Sequence, residues 1–91
     1  MTDVSAYNQQ DISSWLKNKV ATISQLDIEQ VKEDVPFSEY SLDSLHAVNL
    51  TGDLEDLLNM SIDPTVVWDY PTIRELSGFL CQELATMSTI Q

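Results

Sequence analysis

The chain predicts an all-α fold, a small four-helix bundle with three long helices and a short third one, and three observations carry that prediction. Apolar residues recur at spacings of three and four in three separate windows. No stretch alternates apolar and polar residues as a half-buried strand would. Cap-type residues, Asp11, Asp43, Asp63 and Thr72, stand at the start of each expected helix. Ninety-one residues make one domain near the lower end of sizes that bury a useful core. Cys81 is the single cysteine, so no intrachain disulfide assists and the core must suffice.

Residues 1–10 lack an apolar period and read as a flexible N-terminal arm. From Asp11 to about Leu26, Ile12, Leu16, Val20, Ile23 and Leu26 form one stripe flanked by Trp15, with Asp11 as N-cap. Lys19 falls on that stripe and can extend its ammonium to water from the margin. Asp27 to Leu42 has no long period. Asp27 and Gln30 are spaced as a capping box and predict a short helical turn. Pro36 keeps Val35 out of the helical basin. A connection this long needs pinning, and Ile28, Val31, Val35, Phe37 and Leu42 are the candidate anchors.

The second helix runs from about Ser44 to Leu58, capped by Asp43. At about 100° per residue, Ala47, Leu50, Leu54, Leu57 and Leu58 share one side. Leu45, Val48 and Gly52 share the opposite side with Asn49, Asp53, Glu55 and Asp56. A helix in a small bundle needs only one apolar face, so the second, acid-rimmed strip wants a partner unless Leu45 and Val48 are scattered surface apolars. Gly52 lowers helix propensity by roughly 1 kcal/mol relative to alanine, which either close approach of another backbone or plain tolerance would explain.

Asp63-Pro64 reads as N-cap and first helical residue, opening a short helix to Trp68. Asp69-Tyr70-Pro71 ends it. Thr72 and Glu75 are spaced as a second capping box. Ile73, Leu76, Leu80, Leu84 and Met87 form the last stripe, with Ser77 inside it and Phe79 and Cys81 on its flanks. Residues 88–91 read as a loose tail.

Fifteen acids against four bases leave a net charge of −11. That repels nucleic acid and anionic membrane and suits partners with basic docking surfaces, or serves solubility. No basic-then-apolar leader and no run near 18 apolar residues is present, which points to the cytoplasm. Residues that carry chemistry are scarce. One His and one Cys cannot build a structural zinc site, the acids lack calcium-loop spacing, and the isolated Gly52 and Gly78 form no phosphate-cradling loop. His46 lies two residues from Ser44, and such neighbours point apart on a helix. It reads as a surface residue, not as a base for a catalytic serine. Cys81 reads as a half-buried packing residue. No catalytic or metal site is expected.

One serine remains. Ser44 is expected at the first helical position, outward, near the positive end of the helix dipole, a favourable place for a phosphate ester. By residue physics alone it is equally a capping-region serine. The run Asp34-Val35-Pro36-Phe37-Ser38-Glu39-Tyr40-Ser41-Leu42-Asp43-Ser44-Leu45, then Ala47-Val48 and Asp53-Leu54-Glu55, resembles an acyl carrier protein of polyketide synthase type. So do Pro64-Thr65, the run Trp68-Asp69-Tyr70-Pro71-Thr72-Ile73, and Trp15-Leu16 with Val20-Ala21 in the first helix.

The resemblance implies that residues 11–87 form a monomeric carrier domain and that Ser44 accepts 4'-phosphopantetheine from coenzyme A through a phosphopantetheinyl transferase. The arm's thiol would then carry acyl intermediates as thioesters in a polyketide or mixed polyketide/nonribosomal peptide pathway. Asp43 matches the motif acid. Leu45, Val48, Gly52, Asp53, Glu55, Asp56 and Trp68 would face partners: an acyl-loading enzyme (acyltransferase or acyl-AMP ligase), a ketosynthase and other synthase enzymes. Charge reversal at Asp53 or Asp56 is then expected to impair partner reactions more than stability. Ser41 departs from the family's usual glycine and would be strained if that backbone needs positive φ. Peptidyl carriers usually have Gly-Gly-x-Ser-Leu, which Asp43 argues against, and fatty-acid carriers generally lack the run from Trp68 to Ile73. The alternatives are an unmodified acidic adaptor docking through Leu45 and Val48, and a carrier fold that has lost modification.

Overall fold

The computed structural model describes residues 8–40 and 42–89, the last three by backbone alone. Four α-helices follow in order: α1 Gln9–Ser24, α2 Ser44–Leu58, α3 Val66–Asp69 and α4 Ile73–Thr89. Two 3₁₀ turns, Ile28–Gln30 and Phe37–Tyr40, lie in the long connection between α1 and α2. The described residues form a small helical bundle with no strand. Its one β-type feature is an isolated antiparallel bridge between Pro36 and Thr72.

Helix α1 starts earlier than its apolar stripe. Asn8, not Asp11, is the N-cap, and Asp11 is its reciprocal partner one turn on. Asn8 Oδ1 accepts from the Asp11 amide at 2.8 Å, and Asp11 Oδ2 accepts from the Asn8 amide at 3.3 Å. Residues 9 and 10, expected in the arm, are therefore helical. The extra turn is useful because the Gln9 amide reaches α4, donating to Arg74 O at 3.3 Å and Ser77 Oγ at 3.4 Å. Residues 1–7 of the expected arm lie outside the described residues. At the other end Gln25 adopts the left-handed conformation (φ 59°), and the Leu26 amide folds back to Ala21 O at 2.9 Å. This six-to-one closure ends α1 at Ser24 and leaves Leu26 beyond it, half-buried against the core.

The long connection is pinned, but not by all the expected residues. Val31, Phe37 and Leu42 are buried and Val35 is partly so, whereas Ile28 is 42% exposed on its 3₁₀ turn. Tyr40 takes the place of Ile28 as an anchor. It is buried, its hydroxyl accepts the Lys32 amide at 2.7 Å, and its carbonyl accepts Ser24 Oγ at 2.8 Å. Asp27 and Gln30 close the expected capping contact, with Gln30 Oε1 accepting the Asp27 amide at 3.0 Å. Phe37 N donates to Pro71 O at 2.7 Å and Arg74 N to Glu33 O at 2.9 Å, tying the loop to the start of α4. Lys17 Nζ binds Glu33 at 2.9 Å and holds that carboxyl below the usual carboxylate range. Ser41 lies outside the described residues.

In α2, Ala47, Leu50, Leu54 and Leu58 are buried and Leu57 is half-buried. Thr51 joins them unexpectedly. Its hydroxyl bonds Ala47 O at 2.9 Å, so it is buried with a partner. Asn59 in the left-handed conformation (φ 55°) stops the helix, its amide donating to Glu55 O.

The short helix starts later than expected. Asp63 Oδ1 accepts both the amide and the hydroxyl of Thr65 at 2.9 Å, and Val66, Val67 and Trp68 bond three residues back. Pro64 and Thr65 thus sit in a turn, and α3 is Val66–Asp69. Helix α4 opens as expected at Thr72, whose Oγ1 accepts the Glu75 amide at 3.2 Å. Its buried stripe is Ile73, Leu76, Leu80 and Leu84, with Ser77 satisfied by Arg74 O at 3.1 Å. It continues through Thr89, past the boundary expected after Met87, because no glycine, proline or left-handed residue stops it there. Ile62, Val66 and Val67 close the core between the long helices.

Candidate functional site

The mouth of α2 is built by Asp43. Its backbone is extended (φ −101°, ψ −172°), its carbonyl accepts the Ala47 amide at 2.9 Å, and Oδ1 accepts the His46 amide at 3.0 Å. That amide is the main reason the Asp43 carboxyl lies below the usual carboxylate range, and the His46 ring adds to it. Ser44 follows as the first residue of α2 and is exposed. Its neighbours Asp43 and Leu45 are exposed too, so a bulky group on its oxygen would meet solvent and not the core.

His46 is not the plain surface residue expected. It is half-buried, and its Nδ1 lies 3.1 Å from Asp43 Oδ1. The signal was present in the sequence, since residues three apart at a helix start share a face. Cys81 is half-buried as expected, against the core; nearby on the same helix Phe79 stacks on Tyr70, with ring centroids 4.4 Å apart.

The far side of α2 presents apolar surface: Leu45 is 66% exposed and Val48 51% exposed, with Trp68 on α3 at 47%. A Cβ built on Gly52 would have open space around it. Among the described residues no backbone crowds it, so close approach between them does not account for this glycine. The three acids differ. Asp53 pairs with Lys19 of α1, whose ammonium also sits 5.4 Å above the Trp15 ring. Lys19 is thus engaged rather than simply reaching into water. Glu55 Oε2 accepts the amide of buried Ile62 at 2.7 Å, holding the turn after α2. Asp56 is exposed and, among the described residues, makes neither an ion pair nor a side-chain hydrogen bond. Nothing in the chain's periodicity distinguishes these three.

Among the described residues no three His, Cys, Asp or Glu converge as a metal site would need, and no helix is long and apolar enough to cross a membrane. What the geometry displays is a single hydroxyl at a helix start beside a partly apolar, acid-rimmed face.

Comparison with known proteins agrees with that geometry. Residues 14–80 match the family described as phosphopantetheine attachment site. Among curated proteins, the chain is 36% identical over 69 residues to 6-methylsalicylic acid synthase of Penicillium terrestre. That alignment takes in 76% of this chain and 4% of the synthase, so the chain spans a small part of the curated relatives it matches. Among solved structures, a free-standing peptidyl carrier protein from Acinetobacter baumannii superposes with a TM-score of 0.81 at 38% identity, covering 85% of this chain and 96% of that one. The HMG-ACPI domain of the CurA module from Lyngbya majuscula superposes equally well, with a TM-score of 0.81 at 30% identity over 97% of this chain and 86% of that one. The chain belongs to the phosphopantetheine attachment-site family, as an acyl carrier protein of polyketide synthase type that bears covalent 4'-phosphopantetheine.

Proposed function

We propose that Ser44 is the attachment residue and that the chain is loaded by a phosphopantetheinyl transferase acting on coenzyme A. The observation that carries this reading is the exposed Ser44 at the first position of α2, behind the Asp43 cap, inside the matched residues 14–80. Ser44 Oγ forms the new bond to the phosphorus nearest pantetheine while the pyrophosphate bridge of coenzyme A breaks. Adenosine 3',5'-bisphosphate leaves, and the serine proton passes to a base supplied by the transferase. The helix start favours the resulting anion, because the first-turn amides and the dipole carry partial positive charge there. Bound, the group supplies a terminal thiol that holds acyl groups as thioesters.

The rest of the chain holds that point still and presents a docking face. Leu45, Val48 and Trp68 offer apolar contact and Asp56 an unpaired charge to an acyl-loading enzyme, a ketosynthase and other synthase enzymes. Tethering keeps each acyl group at high effective concentration for whichever enzyme is docked. The work is done in the cytoplasm, in a polyketide or mixed polyketide/nonribosomal peptide pathway.

Incubation with coenzyme A and a promiscuous transferase, followed by intact-mass measurement, tests the site. The wild-type chain gains one phosphopantetheine; Ser44→Ala keeps its helicity and gains none. A Ser44→Ala protein that still took the arm would refute the assignment. A folded wild type that took none would leave an unmodified adaptor docking through Leu45 and Val48.

A further inference from the structure

We propose that Glu55 is a positioning residue for docking: its carboxylate holds the turn that sets where α3 presents Trp68 to a partner enzyme. The inference rests on the docking face proposed above. That face takes Leu45 and Val48 from α2 and Trp68 from α3, so it is one surface only while the link between the two helices keeps its shape. Three amides of that link end on Glu55. Its carbonyl accepts those of Asn59 and Met60, the latter at 3.3 Å, and its side-chain Oε2 accepts that of Ile62 at 2.7 Å.

The short helix depends on its surroundings. A single helical turn does not persist by its own hydrogen bonds, because nucleation costs more than so few bonds return. Thr65 stands at the N-cap without a side-chain bond to the helix. Buried Val66 and Val67 fasten one side of α3 to the core, and Trp68, next in the chain, faces solvent. The chain approaches α3 through buried Ile62, so the carboxylate on the Ile62 amide sets where that approach begins. Tryptophan often dominates the energy of an interface, and a contact already in place costs less ordering on binding.

Positioning and charge attraction make opposite predictions at this residue. Glu55→Asp keeps the charge but is one methylene short of the Ile62 amide, whereas Glu55→Gln loses the charge and keeps a carbonyl acceptor at the same reach. The test measures initial rates of arm transfer from coenzyme A by a promiscuous phosphopantetheinyl transferase, for the wild type, Glu55→Ala, Glu55→Asp and Glu55→Gln. Glu55→Ala is also placed in Trp68→Ala and Leu45→Ala backgrounds. Helicity is followed for every protein, and rates are taken well below each melting midpoint so that unfolding does not enter them.

Trp68→Ala is expected to lower kcat/KM about tenfold. Glu55→Ala and Glu55→Asp lower it about fivefold, mostly through KM, because fewer molecules present Trp68 in place. Glu55→Gln keeps at least half of the wild-type rate. Beside Trp68→Ala the Glu55→Ala change adds less than about twofold, since the group it acts through is gone, whereas beside Leu45→Ala it keeps its full effect. Any of these results overturns the proposal: Glu55→Asp as fast as wild type, Glu55→Gln below half of wild type, or a Glu55→Ala loss that is the same with and without Trp68. If Glu55→Ala and Glu55→Asp do not fold, Glu55→Gln decides the matter by the same threshold. Trp68→Ala at the wild-type rate with Leu45→Ala slow also overturns it, and leaves α2 as the docking element. If neither Trp68→Ala nor Leu45→Ala slows transfer, the docking face itself fails, and a wild type that takes no arm defeats the Ser44 assignment; both outcomes are separately visible.

Discussion

Asp53 and Asp56 lie one turn apart on α2 and have opposite surroundings. On the flank toward α1, Asp53 is paired with Lys19, which in turn lies over Trp15. On the outward flank, Asp56 is exposed and unpaired among the described residues, on the helix that also exposes Leu45 and Val48. Glu55, between them, is spent on the amide of Ile62. The lesson is that a count of acids overstates the charge a helix offers to a partner. Two of these three carboxylates hold the fold together, and one is free to meet an incoming cation.

The largest change is expected at Glu55. Glu55→Ala leaves the amide of buried Ile62 without its acceptor, which costs about 1–3 kcal/mol, read as a lower urea midpoint. Glu55→Gln keeps an acceptor and stays near wild type. Equal loss in both variants would mean that charge, not the bond to Ile62, is what Glu55 supplies.

The two aspartates come next. Asp56→Lys leaves stability within about 0.5 kcal/mol, and lowers kcat/KM with a basic-surfaced partner enzyme about tenfold at low ionic strength, the deficit shrinking as salt rises. Asp53→Lys does the reverse of what charge counting suggests. It destabilises α1 against α2 by up to about 1 kcal/mol, because Lys19 then faces a like charge, and perturbs the partner reaction less than Asp56→Lys. Steady-state kinetics and melting on both variants decide between the two positions; an identical kinetic loss would abolish the distinction.

Gly52 carries the smallest change. Its Cβ space is open, so Gly52→Ala is expected to raise stability by about 0.5–1 kcal/mol, measured by denaturant titration. If the partner reaction slows while stability rises, that space belongs to a docked enzyme.

How far the chain is legible follows the range of each interaction. The Asp43 cap, the Thr72–Glu75 pair and the stripes of α1, α2 and α4 depend on residues three or four apart, and their spacing alone reveals them. The start of α1 is harder, because Asn8 and Asp11 are both cap-type residues and the turn between them is supported by Gln9 reaching Ser77, sixty-eight positions away. Its end is hidden because no glycine marks the left-handed turn at Gln25. Ile28 and Tyr40 exchange places as loop anchors for a similar reason. Tyr40 gains the Lys32 amide only once the loop has folded back on itself.

An acidic helical bundle with one serine displayed behind an aspartate follows from the order of residues alone, since helical period, capping chemistry and net charge are local or additive quantities. Two facts emerge only once the helices are packed: which acids are already used, and that the space at Gly52 is open. Each depends on where a side chain finds, or fails to find, a neighbour in three dimensions, and that is set by packing rather than by spacing along the chain.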